Sequence, residues 1–157
     1  MRYFFIISVF LLASTALAED GYRTYHNARY GYSISYPKDI LYPQGESDNG
    51  DGQKFMSKDA DAVLIVYGSY NAIDQSLEEL YLEESRGGTD EAPKRVVTYR
   101  VLKPTWFVIS GYNSGKIFYE KTILKNDAFE TFLFEYDESK RKIYDPIVKK
   151  ISRSFEG

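Results

Sequence analysis

The residues best suited to chemistry lie between Glu46 and Asp61. Glu46, Asp48, Asn49, Asp51, Asp59 and Asp61 place five carboxylates and an amide within sixteen positions. Acidic, flexible loops of this kind suit calcium, which takes roughly six to eight oxygen ligands. The strand candidates 53–57 and 62–68 predict a hairpin that would fold the two ends of this segment towards each other. The spacing departs from an EF-hand, because Gly50 interrupts the alternate-position ligands and no glutamate stands at the twelfth position counted from Asp48. The run SDNGDG (47–52) is also what tight turns require: glycines for left-handed backbone, and Asx side chains that bond the backbone beside them. Calcium binding is one expectation for these six residues, and turn formation is the other. A third chemistry is hydrolysis, with Asp48, Asp51, Asp59 and Asp61 as the first residues to suspect. It needs two carboxyl groups at a set separation across a cleft, which spacing along a chain does not define.

Other reactive groups are sparse. The chain has one histidine and no cysteine, so HExxH and CxxC sites, thiol nucleophiles and redox dithiols are absent. No serine stands in a GxSxG elbow, and neither a phosphate-cradling GxxxxGK[ST] loop nor a dinucleotide fingerprint occurs. NAD, ATP and GTP are therefore excluded as expectations, and calcium is the one cofactor left to consider. His26 sits beside a predicted turn and reads as a surface or half-buried strand residue. Lys140, Arg141 and Lys142, with Lys149, Lys150 and Arg153 nearby, form the one basic patch, and Tyr144 adds an aromatic. A polyanion site and the solvated flank of a helix are the two readings, and the flank is the simpler. Nucleic acid is not an expected partner, since the formal net charge is −3 and no dominant basic face is visible.

The first eighteen residues, MRYFFIISVFLLASTALA, have the parts of a secretory signal peptide. Arg2 precedes an apolar run, and Ala16-Leu17-Ala18 supplies small residues where a signal peptidase cuts. The expectation is removal of residues 1–18 and a single globular domain over 19–157. The run is too short to serve as a comfortable membrane span, and no later segment approaches that length. Without cysteine there is no lipid-anchor site and no disulfide framework, which favours a bacterial periplasmic or secreted setting. Charge is uneven: residues 19–93 carry 15 acids and 6 bases, residues 94–157 carry 8 acids and 13 bases.

Hydrophobic periodicity supplies the frame for these residues. Tyr22 to Tyr25 reads as a short strand and NARYG (27–31) as a turn. YSISYP (32–37) alternates strictly, with Tyr32, Ile34 and Tyr36 on one face. Residues 38–52 read as a long excursion. QKFMS (53–57) and AVLIVYG (62–68) read as a strand pair, the second as the best candidate for a central strand. Ser76 and Glu79 have capping-box spacing, and Ile73, Leu77, Leu80 and Tyr81 form the apolar stripe of a helix stopped by Gly87-Gly88. RVVTYRVL (95–102), WFVISGY (106–112), KIFYEKTIL (116–124) and FETFLFEY (129–136) predict an antiparallel meander. A closing helix is expected with Asp145 as its cap and Pro146 at its first position, burying Ile147, Val148, Ile151 and Phe155. The fold class is α+β, a predominantly antiparallel sheet flanked by helices.

YGYSISYPKD (30–39), the meander with its interleaved helix, and the closing ISRSF (151–155) together resemble the small PsbP/Mog1-type domains. The chain also resembles exported bacterial proteins that carry NGDG in this region, here Asn49 to Gly52. The resemblance implies an α-β-α sandwich. Members of that broad group act as accessory or binding proteins of photosystems or small GTPases, and no catalytic motif comes with it. The leading functional reading is a non-catalytic periplasmic or secreted module that binds an extracytoplasmic protein or another envelope ligand. Of the chain's 15 tyrosines all but Tyr3 lie in residues 19–157, and they supply rigid amphipathic contact surface. A carboxylate-dependent hydrolase and a calcium-stabilised structural module are the alternatives.

Overall fold

The computed structural model describes residues 21–87 and 95–157, so the predicted signal peptide lies outside the described residues. Strands β1 (Tyr22–His26) and β2 (Ser33–Pro37) pair as an antiparallel hairpin. Asn27 shapes its turn, its Oδ1 accepting from the backbone N–H of Arg29 and Tyr30. The remaining strands are β3 (Leu41–Glu46), β4 (Gly52–Ser57), β5 (Ala62–Tyr70), β6 (Val96–Leu102), β7 (Trp106–Asn113), β8 (Lys116–Lys125) and β9 (Ala128–Asp137). They form one sheet in the order β3-β4-β5-β9-β8-β7-β6, with every neighbouring pair antiparallel. Helix α1 (Leu77–Glu84) follows β5. Helix α2 (Arg141–Ser154) closes the chain after a 3-10 turn at Glu138–Lys140. The expected α+β class is therefore the fold adopted.

The meander β6 to β9 follows the sequence closely because its turns are local. Ser114-Gly115 and Asn126-Asp127 all take positive φ, the pattern of two-residue hairpin turns whose twist matches the flanking strands. The capping box of α1 forms as its spacing predicts, with Ser76 and Glu79 bonding each other's backbone N–H. Ile73, expected on the helix's apolar stripe, instead precedes the helix and is 79% exposed.

Two expectations give way. Residues 38–52 contain the strand β3, which the pattern hides: only Leu41 is buried, and Pro43 and Gly45 stand inside a bulged edge strand. An edge position is where proline is tolerated, since its missing N–H leaves no ladder bond unmade. Strand β5 does lie inside the sheet, between β4 and β9, as its nearly continuous apolar run predicts. Helix α2 begins at Arg141, before the expected cap. Asp145 does not cap it, because its carboxylate is taken by the Tyr136 hydroxyl and Arg141 Nε. Pro146 lies inside the helix on its solvent side, where the carbonyl it leaves unbonded can reach water.

The two helices cover opposite faces. On one, α2 and the β1–β2 hairpin pack Tyr32, Ile34, Ile151 and Phe155 against Phe55, Leu64, Phe132 and Phe134 of the sheet. The other gathers Leu77 of α1 with Phe107, Ile109, Phe118 and Phe129. Strand β6 reaches the first face with an altered register. Val96 pairs with Tyr112 but Tyr99 with Ser110, so Thr98 is the extra residue of a bulge. The bulge fits only opposite Gly111, where a Cβ would collide with the Val96 carbonyl.

Glu130 of β9 is a buried carboxyl on the first face. It is 1% exposed, its Oε2 has no hydrogen-bond partner, and Gly157 closes over it without room for a side chain. Burial raises its carboxyl above the usual range, so the native state holds a proton more tightly than the unfolded chain does. Stability should fall as pH rises from about 4.3, the unfolded value, through the raised folded one. Glu130→Gln is expected to stabilise the protein at pH 7 by on the order of 1 kcal/mol, a few degrees in Tm. The gain should vanish near pH 4. A thermal melt at the two pH values checks it, and an unchanged or lowered Tm at pH 7 would show the carboxylate to be adequately solvated.

Candidate functional site

The six acidic-segment residues fall into two turns. Glu46, Asp48, Asn49 and Asp51 lie at or beside the β3–β4 connection, whereas Asp59 and Asp61 lie in the β4–β5 connection. Six-residue β4 separates them, placing the groups about 20 Å apart at the usual rise per residue. Three of the five carboxylates are engaged in side-chain hydrogen bonds. Asp51 accepts from the Ser47 hydroxyl and from Asn49 Nδ2; these bonds hold its carboxyl below the usual range. Asp61 accepts from the hydroxyls of Ser57 and Tyr144, both at 2.6 Å, and is lowered for the same reason. Glu46 accepts from the Tyr25 hydroxyl at 2.6 Å. Among the described residues no three His, Cys, Asp or Glu side chains gather as a metal-holding group. Millimolar calcium after EDTA should leave Tm within about 1 °C, whereas saturating a real site a hundredfold would add about 2.7 kcal/mol. A calcium-specific rise lost in the D48N/D51N double variant would reverse that expectation. His26 is exposed at the end of β1.

The geometry points to a different place. Helix α2 does not lie flush on β7 and β8, and a cleft of about 420 Å³ opens between them. Its helix wall is one ridge of α2, in which Arg141, Asp145, Lys149 and Arg153 recur every fourth residue. Residues at that spacing stack on one side of a helix. Twelve residues of helix make the ridge about 18 Å long. The sheet wall carries Ser110, Ile117, Tyr119 and Tyr136.

The polar groups of this cleft are mostly donors. Arg141 is partnered, its Nε 3.2 Å from Asp145, whose other oxygen accepts from Tyr136 at 2.6 Å. The Arg141 guanidinium is raised by that bond, and the Tyr136 phenol is raised by burial and then by Asp145. Lys149 and Arg153 are exposed, and among the described residues neither has a carboxylate within ion-pairing distance. Two like charges one turn apart repel mildly; a bound anion would relieve that. Below them the Tyr119 and Ser152 hydroxyls share a 2.9 Å bond, and burial raises the Tyr119 phenol. Lys121 lies behind Ser152, its Nζ donating to the carbonyls of Ser152 and Phe155 beside the Trp106 ring; desolvation lowers it.

This ridge is part of the basic patch that reads as a solvated flank in the sequence. The structure divides that patch: Arg141, Lys149 and Arg153 line the cleft, and Lys150 lies over the Tyr22 ring at 5.1 Å. The four-residue recurrence from 141 to 153 was a visible signal. The opposing wall was not, since Ser110 and Tyr119 become a wall only through strand pairing.

No family model matches the chain, and no curated protein matches it. Among solved structures, it is similar to the solution structure of cyanobacterial PsbP (CyanoP) from Synechocystis sp. PCC 6803. The TM-score is 0.65 at 13% sequence identity, over 90% of this chain and 95% of that one. Identity at that level speaks to the fold alone. Among the described residues no helix is long and apolar enough to cross a membrane. Antiparallel sheet, opposed helices and this structural likeness together show that the chain has a PsbP-like α+β fold.

Proposed function

We propose that the protein is a non-catalytic binding module of the bacterial envelope or exterior, which holds an anionic partner in the cleft between α2 and β7–β8. The observation that carries this reading is the pair Lys149 and Arg153, without a carboxylate partner among the described residues, on a cleft wall whose other polar groups are mainly donors. A donor-rich concavity satisfies an acceptor-only ligand, and charge-assisted bonds to carboxylate or phosphate are the stronger kind. The partner is an acidic protein segment or another anionic envelope ligand, reached after residues 1–18 direct export. PsbP likeness is compatible with an accessory role and does not name the partner.

The test is titration with poly-L-glutamate, with poly-L-lysine as control, followed by amide chemical-shift mapping. The acidic polymer should shift amides of α2, β7 and β8, and the K149A/R153A double variant should bind it roughly tenfold more weakly with an unchanged melt. Shifts confined to other faces, or an unaffected double variant, would remove the cleft from consideration. Recovery of periplasmic protein that begins at Glu19 tests the export step.

A further inference from the structure

The sheet wall of the cleft restricts what can enter it. In the cross-strand register Tyr99 of β6 pairs with Ser110 of β7, and Ser110 pairs with Tyr119 of β8. All three stand on the face that α2 covers, because the bulge at Thr98 shifts Tyr99 onto it. With strands about 4.8 Å apart, the two tyrosine Cα atoms are about 9.6 Å apart with one small residue between them. The Ser110 hydroxyl turns down to the Phe118 carbonyl at 2.7 Å, which keeps this floor low. A planar ring needs contacts of about 3.5–4.0 Å on each face, and the spacing accommodates that. Tyr99 is 55% exposed, on strand β6 at the edge of the sheet. Ser110, Tyr119, Lys149 and Arg153 all line the same cavity.

We propose that the cleft binds a planar ring bearing a carboxylate or phosphate, the ring lying over Ser110 between Tyr99 and Tyr119 and the oxyanion meeting Lys149 and Arg153. The inference rests on the anion-binding reading above and adds the ring. Stacking on tyrosine faces supplies the apolar contact, and the two cations supply donors that nothing else in the cleft engages.

The experiment is calorimetric titration of the purified protein with benzoate, phenyl phosphate, acetate, inorganic phosphate and benzyl alcohol. At least one of benzoate and phenyl phosphate should bind roughly tenfold or more tightly than its ring-free counterpart, and benzyl alcohol should bind negligibly. Whichever aryl anion binds better distinguishes carboxylate from phosphate as the recognised group. Y99A should bring the aryl anion down to the level of its ring-free counterpart, and K149A/R153A should abolish binding of both. These are exposed side chains, so an unchanged melt confirms that each variant is folded. Equal binding of aryl and ring-free anions, or an unaffected Y99A, overturns the ring while poly-L-glutamate binding leaves the anion cleft standing. If poly-L-glutamate and every small anion fail to bind, both readings fall.

Discussion

Replacing Arg95 with methionine is expected to destabilise the protein by about 3–5 kcal/mol at neutral pH, the cost of leaving a buried charge without its partner. Arg95 bridges Glu120 at 2.8 Å and Glu84 at 2.7 Å, and its guanidinium lies 4.6 Å from the Phe118 ring centre. The Glu120 side chain is 8% exposed. Burial raises its carboxyl and Arg95 pulls it back down, with a net rise. Without Arg95 the folded-state value climbs further above the unfolded one, about 4.3. The native state then holds a proton that the unfolded state releases, so stability falls as pH rises from near 4 through the folded value. Urea unfolding of R95M and wild type at pH 4, 6 and 8 should give a difference that is small at pH 4 and grows with pH. E120Q placed in the R95M background should recover most of the loss at pH 8. A pH-independent difference, or no recovery, would mean that Arg95 acts through packing on Phe118 rather than through charge.

Phe132→Ala is expected to cost a further class of stability, about 3–5 kcal/mol, because a fully buried ring is deleted from a close-packed layer. Phe132 stacks on Tyr119 with centroids 5.8 Å apart and meets Phe155 edge-on at 5.2 Å. Domains of this size hold about 5–15 kcal/mol in total, so the variant should melt far lower or fail to fold at 37 °C. The milder Phe132→Leu keeps most of the volume and tests the second consequence. Tyr119 loses its stacking partner, and its 2.9 Å contact with Ser152 is one of the links between sheet and helix inside the cleft. Binding of poly-L-glutamate should weaken in F132L more than its modest stability loss accounts for. Wild-type affinity in F132L would separate the cleft from the core beneath it.

Much of the frame was legible because it depends on neighbours in the chain. Tyr32, Ile34 and Tyr36 alternate onto the core face, two-residue turns join β7 to β8 and β8 to β9, and Ser76 with Glu79 starts α1. What was not legible has long-range causes. Strand β3 exists through pairing with β4, although its own residues are mostly exposed. The start of α2 was misplaced because Asp145 and Pro146 imitate a helix entry. The structure spends Asp145 on Tyr136, nine residues earlier on β9. The acidic segment looked like one cluster in the chain, and the intervening strand β4 makes it two.

The sequence by itself determined a predominantly antiparallel α+β domain, the apolar faces of its strands and of α2, and the sparseness of its reactive chemistry. These follow from periodicity, turn residues and composition, which act over a few residues at a time. Only the tertiary structure decided which surface is concave and how it is charged. The cleft arises because α2, anchored by Tyr144, Ile147, Val148 and Ile151, packs over the middle of the sheet and leaves its basic ridge facing β7 and β8. That ridge and the Ser110 and Tyr119 part of its wall come from segments more than twenty residues apart, so their meeting is fixed by strand order and core packing rather than by local pattern.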